Sequence, residues 1–112
     1  MRPKNDMACR VGELVWIPCE VKPGPFSNER FTLLRSDHAE WIGFVPVHCL
    51  REPVPEGRTA VRAIITKLSE ERFKARIEGE ALASRMFEDA LSRVEPLSLK
   101  EYLSAMPKCR RG

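Results

Sequence analysis

Few residues of this sequence have the types and spacing needed for covalent chemistry. His48 and Cys49 could form a nucleophilic pair, but adjacent residues on a strand point to opposite faces, so neither could activate the other. Glu70 and Glu71 are paired carboxylates that fall in a turn, where they would be solvated. The segment 23–25 is Pro-Gly-Pro and lacks the Lys-Ser/Thr that follows a phosphate-binding loop. The sequence therefore predicts a protein that is not an enzyme.

Histidine and cysteine are the residue types that most often bind zinc. Cys19, His38, His48 and Cys49 match no known ligand spacing, so we expect neither a metal nor another cofactor. The four cysteines, at positions 9, 19, 49 and 109, form no CxxC pair. Cys19 and Cys49 lie in apolar runs and are expected to be buried, reduced thiols, whereas those near the polar termini would be exposed.

Basic residues alternate with apolar ones near the middle of the chain. Arg72, Lys74 and Arg76 share one face of a predicted strand, and Arg58 and Arg62 could extend that stripe. A stripe of this kind can follow a phosphate backbone. The alternative is a solvated strand face whose charge is neutralised by nearby glutamates.

Five aromatic residues lie in or near the first three predicted strands: Trp16, Phe26, Phe31, Trp41 and Phe44. We expect Phe44 in the core, and Trp41 and Phe26 at the surface, where bases could stack on them. The alternative is that most of them are core, because a small domain needs its large side chains inside. The predicted nucleic-acid site comprises Phe26, Trp41, Arg58, Arg62, Arg72, Lys74 and Arg76.

The elements that must position these residues are mostly strands. Runs rich in β-branched and aromatic residues, separated by Pro, Gly and Ser-Asp turns, predict strands at residues 13–21, 31–35, 40–47, 59–68 and 72–77. Pro18 in the first strand indicates an edge position or a bulge. Consecutive short strands followed by a helix are typical of a small barrel. The predicted fold is mainly β, a five-stranded barrel with a C-terminal helix.

The segment 80–94 is the ambiguous part of this prediction. Apolar residues recur there at spacings of three and four, which predicts an amphipathic helix that packs on the barrel, although an extra strand is the alternative. Ser98 could cap a last short helix that ends near Met106, with Leu99, Tyr102 and Leu103 as its apolar side. The predicted organisation is a flexible basic N-terminus (1–10), a barrel (11–79), a C-terminal helical segment (80–107) and a basic tail (108–112).

Length and charge limit the function further. A chain of 112 residues is expected to form one domain. The net charge of +3 is uneven, because residues 1–10 carry +2, residues 108–112 carry +3 and the body carries −2. A nucleic-acid site would therefore depend on a local stripe, aided by the tails. No apolar run approaches the roughly 18 residues of a membrane span, and no signal segment opens the chain, so we expect a cytoplasmic protein without membrane contact.

Residues 11–79 resemble the RNA-binding OB-fold domain that is repeated in the largest protein of the bacterial small ribosomal subunit. The similarity begins with Val-Gly-Glu-Leu-Val at residues 11–15 and continues with Gly-Phe-Val at 43–45, followed by Leu50. Gly57, Val61 and the Glu-Glu-Arg at 70–72 then match in the same order. The sequence departs from that family in lacking a glycine near Trp16 and in having Pro46 where a histidine is common. The resemblance implies an OB-like barrel that binds RNA or single-stranded DNA.

A second resemblance leads to a different function. Trp41, followed by Gly-Phe-Val-Pro at 43–46 and by Leu50, is similar to the end of a Src-homology-three-like barrel, whose aromatic residues hold proline-rich peptides. That family typically has one very short strand after this motif, whereas here a hairpin of some twenty residues follows. We therefore expect the OB-like barrel, with a protein-binding module as the alternative.

Overall fold

Eight strands and one short α-helix make up the regular structure of the part of the chain described by this computed structural model, which is residues 10–37, 39–81 and 86–105. Two 3-10 turns, at Val47–Cys49 and Leu91–Arg93, connect strands. The elements are β1 (Leu14–Pro23), β2 (Glu29–Arg35), β3 (Glu40–Pro46), β4 (Gly57–Leu68), β5 (Arg72–Ile77), β6 (Glu80–Ala81), β7 (Phe87–Ala90), β8 (Glu95–Pro96) and α1 (Leu99–Ala105).

The strand β1 is shared by the two halves of the sheet. One edge pairs antiparallel with β4 along residues 14–21, while the other edge pairs with β8 at Val15 and Trp16 and with β2 from Glu20 onward. Pro18 falls in the gap between β8 and β2 on that second edge. Its missing N–H therefore costs no ladder hydrogen bond. The predicted edge position is met only locally, because β1 itself lies inside the sheet between β2 and β4.

The sheet curves into a nearly closed barrel, which confirms the predicted fold class. Neighbouring strands follow the order β6-β3-β2-β1-β4-β5-β7, with β8 joined to β1, so the described strands outnumber the predicted five. The chain leaves β5 at Ile77 and, after two residues, enters β6, which pairs with β3 on the opposite side of the sheet. Glu78 and Gly79 therefore carry the chain across the gap between β5 and β3.

Alternating residues of the long strands fill the barrel. On β1, Val15, Ile17, Cys19 and Val21 face inward, and Phe73, Ala75 and Ile77 do so on β5. They meet inward residues of the other strands in one core, whose remaining members are Leu34, Trp41, Val45, Cys49, Leu50, Val61, Ala63, Ile65 and Phe87. The predicted burial of Cys19 and Cys49 is confirmed.

The prediction of a helix at residues 80–94 is wrong over the described part of that segment, and the alternative of an extra strand is correct. Phe87–Ala90 forms β7, which pairs with β5 and buries Phe87 and Asp89 while Glu88 and Ala90 face outward. The outer edge of β5 carries backbone N–H and C=O groups that a helix could not satisfy. This requirement overrides the helical spacing of the apolar residues. Residues 82–85 lie outside the described residues.

The predicted last helix is present as α1. The Ser98 N–H donates to Glu101 Oε1 (2.9 Å) and the Glu101 N–H donates to Ser98 Oγ (3.1 Å), which is a reciprocal capping box. Leu99 and Leu103, expected on its packed side, are instead 76% and 60% exposed. Both predicted basic tails, with Cys9 and Cys109, lie outside the described residues except for Arg10.

We expect Gly79→Ala to lower the free energy of unfolding by about 1–3 kcal/mol, the usual cost of overpacking. A Cβ at Gly79 would lie 2.7 Å from Val45 Cγ2 and 3.0 Å from the Phe44 carbonyl oxygen, where neither neighbour is a mobile side-chain end. Urea unfolding measures the change. The loss should be smaller in a Val45→Ala background, which removes the clashing methyl. An equal loss in both backgrounds would contradict the close contact.

Candidate nucleic-acid interface

The predicted site residues do not converge on one surface. Trp41 is 3% exposed and packs in the core, so the expectation that it presents an aromatic surface is wrong. Its position on β3 explains this, because Trp41 alternates with Ile42 and shares the inner face with Val45. Phe26 is exposed, as predicted, in the turn between β1 and β2.

Phe26 and Arg58 lie at one end of the barrel, far from the basic residues of β5. Arg58 is exposed near the start of β4 and its Nε is 3.7 Å from Glu20 Oε2. Lys67 lies near the other end of β4, about 30 Å farther along the strand at roughly 3.3 Å per residue. Phe26 and Arg58 therefore do not adjoin the β5 cations, since Arg58 is about 20 Å along β4 from Ile64, the partner of Arg76, at roughly 3.3 Å per residue.

The basic residues of β5 occupy its outer face, as the alternation predicts. Lys74 and Arg76 are exposed, while Phe73, Ala75 and Ile77 are buried between and beside them. Arg72, also on this face, is half-buried, and its Nε donates to Glu88 Oε2 (3.1 Å) on the neighbouring β7. These three cations form a row along the outside of the barrel.

Lys67 joins this row from β4. It stands directly opposite Lys74, and both are exposed. Alternation from Ile65 would turn Lys67 inward, but a register shift between Ile65 and Lys67 turns it outward. Sequence periodicity therefore could not have found it. We call the group of Lys67, Arg72, Lys74 and Arg76 the basic hairpin patch.

An open groove of about 220 Å³ lies at three of the four residues of the basic hairpin patch, all except Arg76. It is lined by Lys67, Leu68, Ser69, Arg72, Phe73, Lys74 and Glu88. Within the described chain, Lys67, Lys74 and Arg76 form no ion pair, while Glu88 partners Arg72. Glu70 and Glu71 are exposed at the turn of the hairpin, beyond the groove. Like charges directly opposite on two strands destabilise a sheet, so the Lys67–Lys74 pair does not contribute to the stability of the fold.

Arg62, another predicted site residue, has a structural role. Its side chain is 13% exposed, and its Nε donates to Glu78 Oε1. Its Nη2 also approaches Cys49 Sγ at 3.7 Å. Burial, together with the nearby Glu78 carboxylate, raises the pKa of Cys49 despite the opposing effect of Arg62.

Trp16 lies at the centre of a cluster that joins the barrel to the C-terminal segment. We call this cluster the C-terminal clasp, and it comprises Trp16, Arg51, Glu95, Ser98 and Glu101. The indole N–H donates to Glu101 Oε1 (3.1 Å), and the Arg51 guanidinium lies 5.6 Å from the ring centroid. Arg51 binds Glu95 through Nη1 (2.8 Å) and Nη2 (3.3 Å), and Glu101 Oε2 through Nε (3.1 Å). Hydrogen bonds from the Ser98 N–H and Trp16, with Arg51, lower the pKa of Glu101 to about 2.

A second surface is apolar. Phe31 and Phe44 stand opposite each other on the outer face of β2 and β3, with ring centroids 5.7 Å apart, and Leu33 and Ile42 form the next pair. All four side chains are half-buried. The expectation that Phe44 belongs to the core is therefore wrong, because it takes the face opposite to Val45 and Gly43.

Of the groups considered for metal binding or nucleophilic chemistry, Cys19, His48 and Cys49 lie among the described residues. Burial raises the pKa of Cys19 to about 12, which keeps it a thiol. His48 is exposed while Cys49 is buried, in the 3-10 turn. Within the described ranges, no three His, Cys, Asp or Glu residues come together as a metal site. His38 lies outside these ranges.

Comparison of the chain with protein families, curated proteins and solved structures finds no match. No helix among the described residues is long and apolar enough to cross a membrane.

We expect Lys67→Gln to raise the free energy of unfolding by about 0.2–1 kcal/mol, because it removes the repulsion from Lys74. Urea unfolding at low salt measures the gain, which should shrink at high salt as screening weakens the repulsion. Lys22→Gln, which removes an exposed lysine opposite Phe31, serves as the control. A loss of stability in Lys67→Gln would show that the lysine pair is not strained.

The C-terminal clasp should weaken in acid. Because the folded-state pKa of Glu101 lies below its ordinary value of 4.5, its stabilisation is complete above about pH 4.5 and is lost as the pH falls toward about 2. We therefore expect wild type to be more stable than Glu101→Gln at pH 6, with a difference that shrinks by pH 3. Unfolding curves at each pH test this, with the exposed Glu56→Gln as control. A difference independent of pH would contradict the assignment.

Proposed function

We propose that this protein is a non-enzymatic binding module that holds single-stranded nucleic acid on the outer face of β4 and β5. The observation that carries the proposal is the basic hairpin patch, where Lys67 faces Lys74 directly and Arg72 and Arg76 flank them. Such cations cost stability when they are alone, and a phosphate backbone would offset their repulsion.

The shape of the surface favours a single strand over a duplex. The groove is open, with Leu68 as an apolar wall beside the lysines. A flexible strand can place phosphates on the cations and lay a base against an apolar wall, which the stacked bases of a duplex cannot do. The resemblance of residues 11–79 to RNA-binding domains makes RNA the first probe to test.

Binding of a labelled RNA of random sequence, followed by fluorescence anisotropy, tests the proposal. Three to four phosphate contacts on a single strand predict a loss of affinity of about 20- to 50-fold between 50 and 200 mM salt. We expect the triple substitution Lys67→Gln, Lys74→Gln and Arg76→Gln to weaken binding about 10-fold or more and to flatten the salt dependence.

The control removes two cations from the other end of the barrel. Lys22→Gln with Arg58→Gln lowers the net charge without touching the basic hairpin patch, and we expect it to leave the affinity within about 2-fold. Absence of binding by folded protein at low salt would refute the proposal. An equal loss in both variants would show that the patch is not the site.

A protein partner is the second candidate, because of the apolar outer face formed by Phe31, Leu33, Ile42 and Phe44. The burial of Trp41 removes the aromatic surface that a Src-homology-three-like mode of binding would use there. A peptide would have to lie on Phe31 and Phe44 instead. Capture of a proline-rich peptide that Phe44→Ser abolishes, with no binding of RNA, would favour this candidate.

A further inference from the structure

Trp16 is buried by the C-terminal segment and not by the barrel core. Its neighbours Val15 and Ile17 face inward, so Trp16 lies on the outer face of β1. It is nevertheless 6% exposed, because β8 pairs alongside it and the Glu101 carboxylate of α1 accepts its indole N–H. Without this cover, a large aromatic surface would face solvent.

The cover supplies groups that a nucleotide could replace. Arg51 holds two carboxylates, one of them through two nitrogens, and a guanidinium fork can donate to phosphate oxygens in the same geometry. The same guanidinium lies 5.6 Å from the Trp16 ring centroid. Freed of Glu95 and Glu101, these two side chains would present an aromatic surface beside a phosphate-binding cation, which suits a base and its phosphate.

Trp16 lies on the same outer face as the basic hairpin patch. Trp16 stands opposite Arg62 on β4, and the next outward row pairs Ile64 with Arg76. Lys67 and Lys74 follow, about 17 Å along β4 from Arg62 at roughly 3.3 Å per residue. A strand bound at the basic hairpin patch could therefore continue along this face to Trp16.

The cover is held by contacts that are individually weak. The helix α1 has seven residues, well below the roughly 12–15 at which a helix becomes marginally stable alone. Leu99 and Leu103 are exposed, so they add little to its attachment. The ion pairs of Arg51 with Glu95 and Glu101 are partly solvated, and such pairs each contribute little to stability.

We propose that residues 95–105 act as an internal competitor, which covers Trp16 and Arg51 until single-stranded nucleic acid displaces it, so that a base stacks on Trp16 and a phosphate binds Arg51. This inference rests on the proposed function, since it assigns that site a second, covered half. The competitor weakens binding by reducing the fraction of molecules whose Trp16 is accessible.

The test uses the full chain with Glu95→Gln and Glu101→Gln together. Acrylamide quenching of tryptophan fluorescence reports the cover, because Trp41 stays buried in the core and the increase would come from Trp16. We expect more quenching and about 5-fold tighter binding of the random RNA. Glu52→Gln with Glu56→Gln is the control for the loss of two negative charges. Circular dichroism checks folding, and Glu101→Gln alone replaces the pair if the double variant unfolds.

Two further variants separate stacking from charge. Adding Trp16→Leu to the Glu95→Gln, Glu101→Gln protein should remove the gain in affinity, whereas adding Trp16→Phe should keep most of it. Increased quenching with no RNA binding by any variant would refute the proposed function itself. Two outcomes would refute the competitor alone, provided that wild type binds RNA. One is an equal change in RNA affinity in the double variant and in its charge control, and the other is a gain in affinity that persists with Trp16→Leu.

Discussion

The rest of the structure depends on the pairing of β1 with three other strands. β4 covers one edge of β1 over residues 14–21, while β2 and β8 divide the other edge on either side of Pro18. Alternation along the same strand sends Val15 and Ile17 into the core and leaves Trp16 outside. This one strand therefore supports the barrel, the β4 strand of the basic hairpin patch and the C-terminal clasp.

Much of the fold could be predicted from sequence because the long strands carry their own signals. Val, Ile and alternating residues place β4 and β5 almost to the residue, and the serine at position 98 marks the start of α1. The spacing of apolar residues in 80–94 led to the wrong prediction of a helix. Such spacing shows which residues are apolar, but it does not show which backbone groups of neighbouring strands need hydrogen-bond partners. The free edge of β5 decided the outcome at Phe87–Ala90.

The candidate site could be predicted only in part, for two physical reasons. Trp41 and Phe44 both lie on β3, and which one faces inward depends on strand register, which propensity does not supply. Lys67 depends on a register shift in β4 that no alternation reveals. By contrast, Lys74 and Arg76 follow a strict period of two on a strand whose inner face is unmistakably apolar, so their exposure could be predicted.

Two features set the outer face of β1, β4 and β5 apart from the rest of the barrel surface. Phe31 and Phe44, on the outer face of β2 and β3, contact each other, so their exposure is partly relieved by their own packing. Lys67 and Lys74 gain nothing from each other, and Trp16 needs a separate segment of chain to cover it. Stability alone would favour an opposite charge in place of one of the two lysines and a small polar residue in place of Trp16. Both costs fall on the outer face of β1, β4 and β5, with the row of Ile64 and Arg76 between them, and a polyanion with stacking bases is a ligand that would offset both.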